Sequence, residues 1–295
     1  MLCSVLYNSV PPLPLPLPDS CPLILNYSEY RPSDALAKYV KCYYTIEHEN
    51  DVLTEDYAFA TGCIEVMFTL QGSPWEVRLG EGYLKTSQLG LWGQILQPLP
   101  FRVSGESLVF GIRFFPSAAA FLLDDNVSIF NDKVLDLRDI LGDMINHLYE
   151  KLQESKSNDQ RIGIVEDYLL MRLSERPKLV NRIDLVQRVA IELTKKDFFD
   201  NIENVAARYG ITSRYLQKIF VQHTGLSPKM LMKINRFQSS MVMMGKKDLS
   251  LTSVAYACGY FDQSHFIKEF KSFTGLLPSG FAPEGSTAIL ASPNK

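Results

Sequence analysis

Arg214, Gln217 and Lys218 in one segment, and Gln263, Ser264 and Lys268 in another, carry donors and acceptors that can meet base edges and phosphate oxygens. An amide such as Gln217 or Gln263 matches the N6 and N7 edge of adenine, whereas the ammonium of Lys218 or Lys268 suits a phosphate. Arg214, Gln217 and Lys218 fall at helical spacing on one face, and Gln263, Ser264, Ile267 and Lys268 do the same. Any solvated helix presents such residues, so one segment alone would indicate a surface and nothing more. Two related segments change that reading.

The segments belong to a repeat, which implies two copies of one structural unit. VAARYGITSRYLQKIFVQHTGLSP at 205–228 returns as VAYACGYFDQSHFIKEFKSFTGLLP at 254–278. Phe220, Thr224, Gly225, Leu226 and Pro228 recur 50 positions later as Phe270, Thr274, Gly275, Leu276 and Pro278. Val205, Ala206 and Gly210 recur only 49 positions later, as Val254, Ala255 and Gly259. The second copy therefore has one extra residue between its glycine and Asp262, and an insertion at a turn fits a helix-turn-helix. In each copy the glycine can close a first helix, and Thr212 or Asp262 can cap the next through a side-chain oxygen. Tyr215, Leu216, Ile219 and Phe220, like His265, Phe266 and Phe270, make the apolar stripe that faces a core.

Charge is distributed unevenly. Residues 182–283 hold 14 Lys and Arg against 8 Asp and Glu, a formal +6 in a chain of −3 overall, so the remainder totals −9. A basic module on an acidic chain points to a polyanionic partner and to salt-dependent binding.

With these features the last hundred residues resemble the DNA-binding domain of the AraC/XylS family of bacterial transcription regulators. VAYACGY, DQSHF, KEFK and TGLLP carry the likeness. Tyr260 stands for the family's usual Phe, Lys268 for its usual Arg, and Ala282 follows Phe281 where the family often has Arg. The resemblance implies an all-α double helix-turn-helix domain of seven helices over 180–283. Its opening helix would bear Leu185, Val186, Val189, Ala190 and Leu193, its connector would run over 228–244 with Pro228 in the first turn, and a closing helix would follow Pro278. The recognition helices would sit about one DNA turn, roughly 34 Å, apart. Carried over by position, the DNA-facing residues are Arg214, Gln217, Lys218, Gln263, Ser264, His265 and Lys268, with Thr212 and Asp262 as caps. His265 suits packing or a phosphate at least as well as a base. The partners implied are double-stranded promoter DNA and RNA polymerase.

Ahead of this module, residues 27–130 alternate in short runs: KCYYTIE at 41–47, CIEVMFTL at 63–70, WEVRL at 75–79 and SLVFGIRFF at 107–115. Period-two patterning with turn residues between predicts an antiparallel sandwich or barrel, and the chain as a whole a two-domain α+β fold. In a chain of this family such a domain resembles the cupin-like sensor barrel. YRPSDALAKYVKCYY, GCIEVMF, WGQ and GIRFFP also resemble a large uncharacterised N-terminal group of these regulators. Glu65, Arg102 and Arg113 are charged residues in or beside predicted strands and are the candidates for a small-molecule pocket; a salt-bridged rim is the alternative. Trp92 and Tyr83 would line a pocket or fill a core.

Between the domains, 133–153 and 161–173 read as helices separated by the polar break 155–160, within a linker of 131–173. Leu135, Ile140, Ile145, Leu148 and Leu152 form a stripe that would either build a homodimer or cover the barrel. SERPK at 174–178 suits a hinge. Residues 1–26 are Pro-rich and suit polyproline II or disorder. They lack a signal-peptide pattern, leave open a start codon placed too early, and are matched by a tail at 284–295.

Several classes find no support. No run reaches the 18 or so apolar residues of a membrane span. The five cysteines, at 3, 21, 42, 63 and 258, have neither metal nor disulfide spacing, which fits a cytoplasmic location; Cys258 reads as a small buried hydrophobe. Four histidines, split between the halves, make no metal cluster, and no nucleophile elbow, P-loop or dinucleotide fingerprint occurs. The expectation is a non-enzymatic regulator without a cofactor. The competing one is a cupin-type binding protein or enzyme held on nucleic acid by its basic module.

Overall fold

The computed structural model describes residues 25–49, 53–123, 126–195, 200–246 and 249–281; the Pro-rich start up to residue 24 and the tail lie outside them. Ten strands carry the N-terminal half: β1 (Leu25–Tyr30), β2 (Val40–His48), β3 (Thr54–Ala58), β4 (Ile64–Gln71), β5 (Glu76–Leu79), β6 (Gly82–Lys85), β7 (Leu89–Trp92), β8 (Leu99–Val103), β9 (Ser107–Phe114) and β10 (Val134–Asp136). They pair as a six-stranded sheet, β1-β2-β9-β4-β7-β10, and a four-stranded sheet, β3-β8-β5-β6, with antiparallel pairing throughout. Of the two arrangements the alternation allowed, the described residues form an open pair of sheets rather than a closed barrel.

The large sheet is covered on both faces, so β2, β4 and β9 are buried along nearly their whole length. Alternate side chains such as Tyr44, Ile46, Met67 and Val109 meet Trp75, Val77 and Phe101 of the small sheet. Their neighbours Tyr43, Val66, Phe68, Phe110 and Ile112 face a layer of helices. Gly111 lies opposite Tyr44 in the ladder, and a Cβ there would come within 2.0 Å of the Tyr44 ring, so only glycine admits that ring.

The helical layer consists of α1 (Ala120–Leu123), α2 (Arg138–Leu141), α3 (Met144–Glu154) and α4 (Asn158–Ser174). The helix expected over 133–153 is corrected at its start. Val134, Leu135 and Asp136 instead pair with Trp92, Leu91 and Gly90, because the free edge of β7 supplies ladder bonds that a helix there would forgo. Gly142, at φ 71°, then separates α2 from α3. Ile145, Leu148 and Leu152 are buried with Val165 and Leu169 against the large sheet, so this part of the stripe covers the sheet. Ser157 caps α4 through the N–H of Gln160, which shortens the expected polar break.

The C-terminal half is helical: α5 (Pro177–Leu193), α6 (Ile202–Arg208), α7 (Ser213–Thr224), α8 (Pro228–Met244), α9 (Leu251–Ala257) and α10 (Gln263–Thr274), then a 3-10 turn at Pro278–Gly280. That turn is what the described residues contain of the expected closing helix. The expected hinge is short, since only Glu175 and Arg176 separate α4 from α5. The two halves are docked. Phe59 and Ala60 belong to the same buried cluster as Phe220, Ile234, Phe237 and Phe270, and Phe59 sets its ring edge-on to Phe281 at 5.9 Å.

Candidate nucleic-acid interface

Each repeat builds the same local structure by the same means. Thr212 Oγ1 accepts the Tyr215 N–H at 3.2 Å and opens α7, while Asp262 Oδ1 accepts the His265 N–H at 2.7 Å and opens α10. Both helices end alike. Thr224 and Thr274 donate back to Phe220 and Phe270 carbonyls and accept the N–H of Leu226 and Leu276, and Gly225 and Gly275 close each helix at φ 74°. Ser227 caps α8, with Pro228 in its first turn, and α8 packs against α5, α7, α9 and α10. The connector thus fixes both units on one scaffold.

The candidate readers lie on the faces left uncovered. Arg214, Gln217 and Lys218 are exposed on α7, opposite buried Leu216, Ile219 and Phe220. On α10, Ser264 and Lys268 are exposed one turn apart, and Gln263 is half-buried. Gln263 is tethered by the Thr252 hydroxyl, which donates to its Oε1 at 2.8 Å and so orients the amide from α9. His265 turns aside. Its ring stands edge-on to Tyr260 at 5.4 Å, and its Nε2 lies 3.8 Å from Glu269.

Sequence reasoning missed the buried pair that holds α10. Arg236 of α8 reaches Glu269 with Nη2 at 3.0 and 3.2 Å; Glu269 is 5 % exposed, and the Arg236 guanidinium lies 5.3 Å from the Tyr260 ring. The equivalent position in α7 is the apolar Ile219, so this pair has no counterpart there; the first unit is tied instead through Arg208 of α6, which pairs with Glu192 of α5 and with Asp200. His223 was also passed over. It is buried where the second unit has Phe273, neither ring nitrogen has a hydrogen-bond partner, and burial, aided by Arg182, pushes its pKa below the ordinary 6.5.

A second candidate site lies between the sheets, where a cavity of about 90 Å³ is walled by Tyr44, Trp75, Trp92 and Phe101, among others, and reached by Glu65 and Arg113. Glu65 and Arg113 face each other across β4 and β9. Arg113 Nε donates to Glu65 Oε1 at 3.1 Å, Nη1 to Tyr27 Oη at 3.2 Å and Glu29 at 3.3 Å, and Tyr44 donates to Glu65 at 2.5 Å. Burial pushes the neighbouring Cys42 thiol up to about 12, so it stays protonated. Arg102 is placed elsewhere. Strand alternation sends Phe101 inward and Arg102 outward, where it pairs with Glu76 at 2.5 Å and stacks on Tyr83. Of the sequence-derived pocket residues, the structure brings together Glu65, Arg113 and Trp92 but not Arg102 or Tyr83.

The cavity wall and the domain junction share their segments. Phe59, Thr61, Cys63, Gly93 and Ile95 line the cavity. Their neighbours carry the contacts between halves. Gln94 Nε2 donates to Gly62 and Thr224 carbonyls at 3.2 Å each, Gln238 of α8 donates to the Ala60 carbonyl at 2.5 Å, and Asn131 donates to the Gly225 carbonyl at 2.7 Å. Lys38 pairs with Asp184 of α5 at 3.1 Å. Beside this junction a cleft of about 800 Å³ opens between Lys38, Lys41, Phe115, Gln187, Leu231 and Gln238. Among the described residues no group of three or more His, Cys, Asp and Glu side chains could hold a metal ion, and no helix is long and apolar enough to cross a membrane.

Comparison with known proteins matches residues 205–283 to a helix-turn-helix domain and residues 28–136 to a domain of unknown function (DUF6597). The chain is 24% identical over 144 residues to the HTH-type transcriptional activator RhaS of Salmonella paratyphi A, covering 48% of this chain and 51% of that protein. It is 32% identical over 76 residues to RhaS of Escherichia fergusonii, covering 26% of this chain and 27% of that one. The chain therefore spans about half the length, or less, of these curated relatives. Among solved structures, fatty-acid-bound ToxT from Vibrio cholerae aligns over 80% of this chain and 92% of its own, at 13% identity and a TM-score of 0.42.

Proposed function

We propose that this chain, whose residues 205–283 match a helix-turn-helix domain, is a sequence-specific DNA-binding transcription regulator of the AraC/XylS type whose activity is modulated by a small molecule bound in its N-terminal half. The observation that carries the reading is the pair of equally capped helices, α7 and α10, each presenting an uncovered polar face from one rigid connector. Arg214, Gln217, Gln263 and Ser264 are assigned to base edges and Lys218 and Lys268 to phosphates, with His265 at the margin.

Modulation follows from shared segments. A molecule that occupied the cavity would press on 59–63 and 93–95, the same stretches that bond Thr224, Gln238 and the core around Phe281. It could shift the DNA-binding half only by preferring one docked arrangement over another. Because Arg113 already meets two carboxylates, the cavity suits a small neutral or cationic molecule with an aromatic or apolar body better than an anion. The reading extends to contact with RNA polymerase at a promoter, to action in the cytoplasm without catalysis, and to self-association. Met144, Leu170 and Met171, exposed on α3 and α4, are the apolar residues left for that last role.

The test is binding of the full chain to duplexes enriched from a random-sequence library, titrated in salt. The expected outcome is a preference of 10³-fold or more over random duplex at physiological salt. Replacing Arg214 and Gln263 together by alanine should abolish that preference. A protein that bound random duplex equally well would be a localising module, and the regulator reading would be wrong.

A further inference from the structure

The one-residue insertion between the repeats can be assigned to a single side chain. In the first unit Ile211 N–H bonds the Ala206 carbonyl at 3.1 Å, and in the second Tyr260 N–H bonds the Ala255 carbonyl at 3.0 Å, an equivalence at an offset of 49. Both side chains pack into the same core, Tyr260 being 3 % exposed. The caps Thr212 and Asp262 are then equivalent at an offset of 50. The residue without a counterpart is Phe261.

Phe261 is 85 % exposed, whereas Phe266, Phe270, Phe273 and Phe281 of the same unit are buried. Leaving a phenyl ring in water forgoes its burial, and Phe261 stands directly before the cap of α10, next to half-buried Gln263 and one turn from exposed Ser264. The polar readers of α10 are thus preceded, immediately before the cap, by a large exposed apolar side chain. In the major groove the apolar group within reach of a side chain is the C5-methyl of thymine. Resting on the DNA-binding reading above, we propose that Phe261 is a specificity-determining residue that packs on a thymine methyl in the segment read by α10, from a position that has no counterpart in the first unit.

The experiment uses the full chain and the duplex enriched from a random-sequence library. Phe261→Ala should leave the thermal midpoint unchanged, weaken binding to the enriched duplex by about 5- to 10-fold, and leave binding to random duplex as it was. Replacing thymines one at a time by deoxyuridine, which removes only the methyl, should cost the parent protein about 3- to 5-fold at one position in the half bound by α10, and cost Phe261→Ala nothing there. Equal affinity of variant and parent, equal loss on random duplex, or a deoxyuridine penalty that persists in the variant would each overturn the proposal. A variant that binds normally but no longer supports transcription in vitro would make Phe261 a polymerase contact instead. Failure of the library to yield any preferred duplex would remove the regulator reading itself, and is distinguishable from all of these.

Discussion

Phe59→Ala tests whether the two halves behave as one folded unit. Phe59 lies in the loop after β3, is 5 % exposed, stacks on Tyr57 at 6.0 Å and meets Phe281 edge-on at 5.9 Å inside the helical core. Truncating a buried phenylalanine costs about 3–5 kcal/mol through lost transfer energy and the cavity left behind. With a urea dependence of about 3 kcal/mol per molar, the midpoint should fall by roughly 1–1.7 M. Both of the chain's tryptophans, Trp75 and Trp92, are buried in the sheet half, so their fluorescence reports that half while far-ultraviolet circular dichroism is weighted toward the helices. In the parent the two signals should move together. In the variant the helical signal should be lost first, and Leu84→Ala, at a side chain 54 % exposed, should change neither. A shift below about 1 kcal/mol in both signals would mean that the aromatic junction does not couple the halves, and the route from cavity to DNA would lose its basis.

Gly225→Ala should destabilise more than Gly259→Ala. Both take on left-handed strain of about 1–2 kcal/mol, at φ 74° and 77°, but a Cβ at 225 would also meet Asn131 Oδ1 at 2.5 Å, whereas 259 faces open space. Chemical denaturation compares them. Thr252→Val should weaken specific DNA binding about 3- to 10-fold by releasing Gln263, and should cost nothing further when introduced into Gln263→Ala, as a double-mutant cycle would reveal. His223 has a lowered folded pKa, so the unfolded chain takes up a proton first as pH falls; stability should drop below about pH 6.5, and His223→Phe should flatten that dependence in denaturation measured from pH 7.5 to 5.5. Glu65→Leu, which removes a carboxylate from Arg113 (4 % exposed), should cost about 3–5 kcal/mol, whereas Glu76→Ala beside the third-exposed Arg102 should cost at most about 1 kcal/mol by the same denaturation assay.

Where an element is dictated by its own few residues, the chain could be read directly. The connector runs from Pro228 to Met244, as the family resemblance implied and its apolar residues and proline accommodate, and the turns close on the glycines the repeat singled out. Leu135 belongs to a pattern that looked helical, yet it pairs with Leu91 because the β7 edge, more than 40 residues away in sequence, offers hydrogen bonds that periodicity cannot register. The four-residue strands β6 and β7 are too short to display an alternation of their own, whereas β5 lies within the run 75–79. Arg102 and Arg113 look alike as strand arginines. Only the register of β8 and β9 sends one to the rim and the other to a carboxylate inside. Asn131 and Gln238 gave no local signal at all, and Gln94 figured only as the last residue of WGQ, since the role of each is defined by a partner from 94 to 178 residues away.

Those amides also decide how the two reading units differ. Thr224 and Gly225, which end α7, accept bonds from Gln94 and Asn131, so the first recognition helix is held at its C-terminal end by the sheet half. The second is held by the Arg236–Glu269 pair and by packing on α8 and α9 within its own domain. A rearrangement of the 93–95 segment would therefore act on the end of α7 through Gln94, and one of the 59–63 segment would act on α10 through Phe59, Phe281 and Phe270 and on the connector through Gln238. If a molecule bound in the cavity shifts DNA affinity as proposed, then by linkage DNA that engages the two helices would alter the cavity's affinity for that molecule by the same factor.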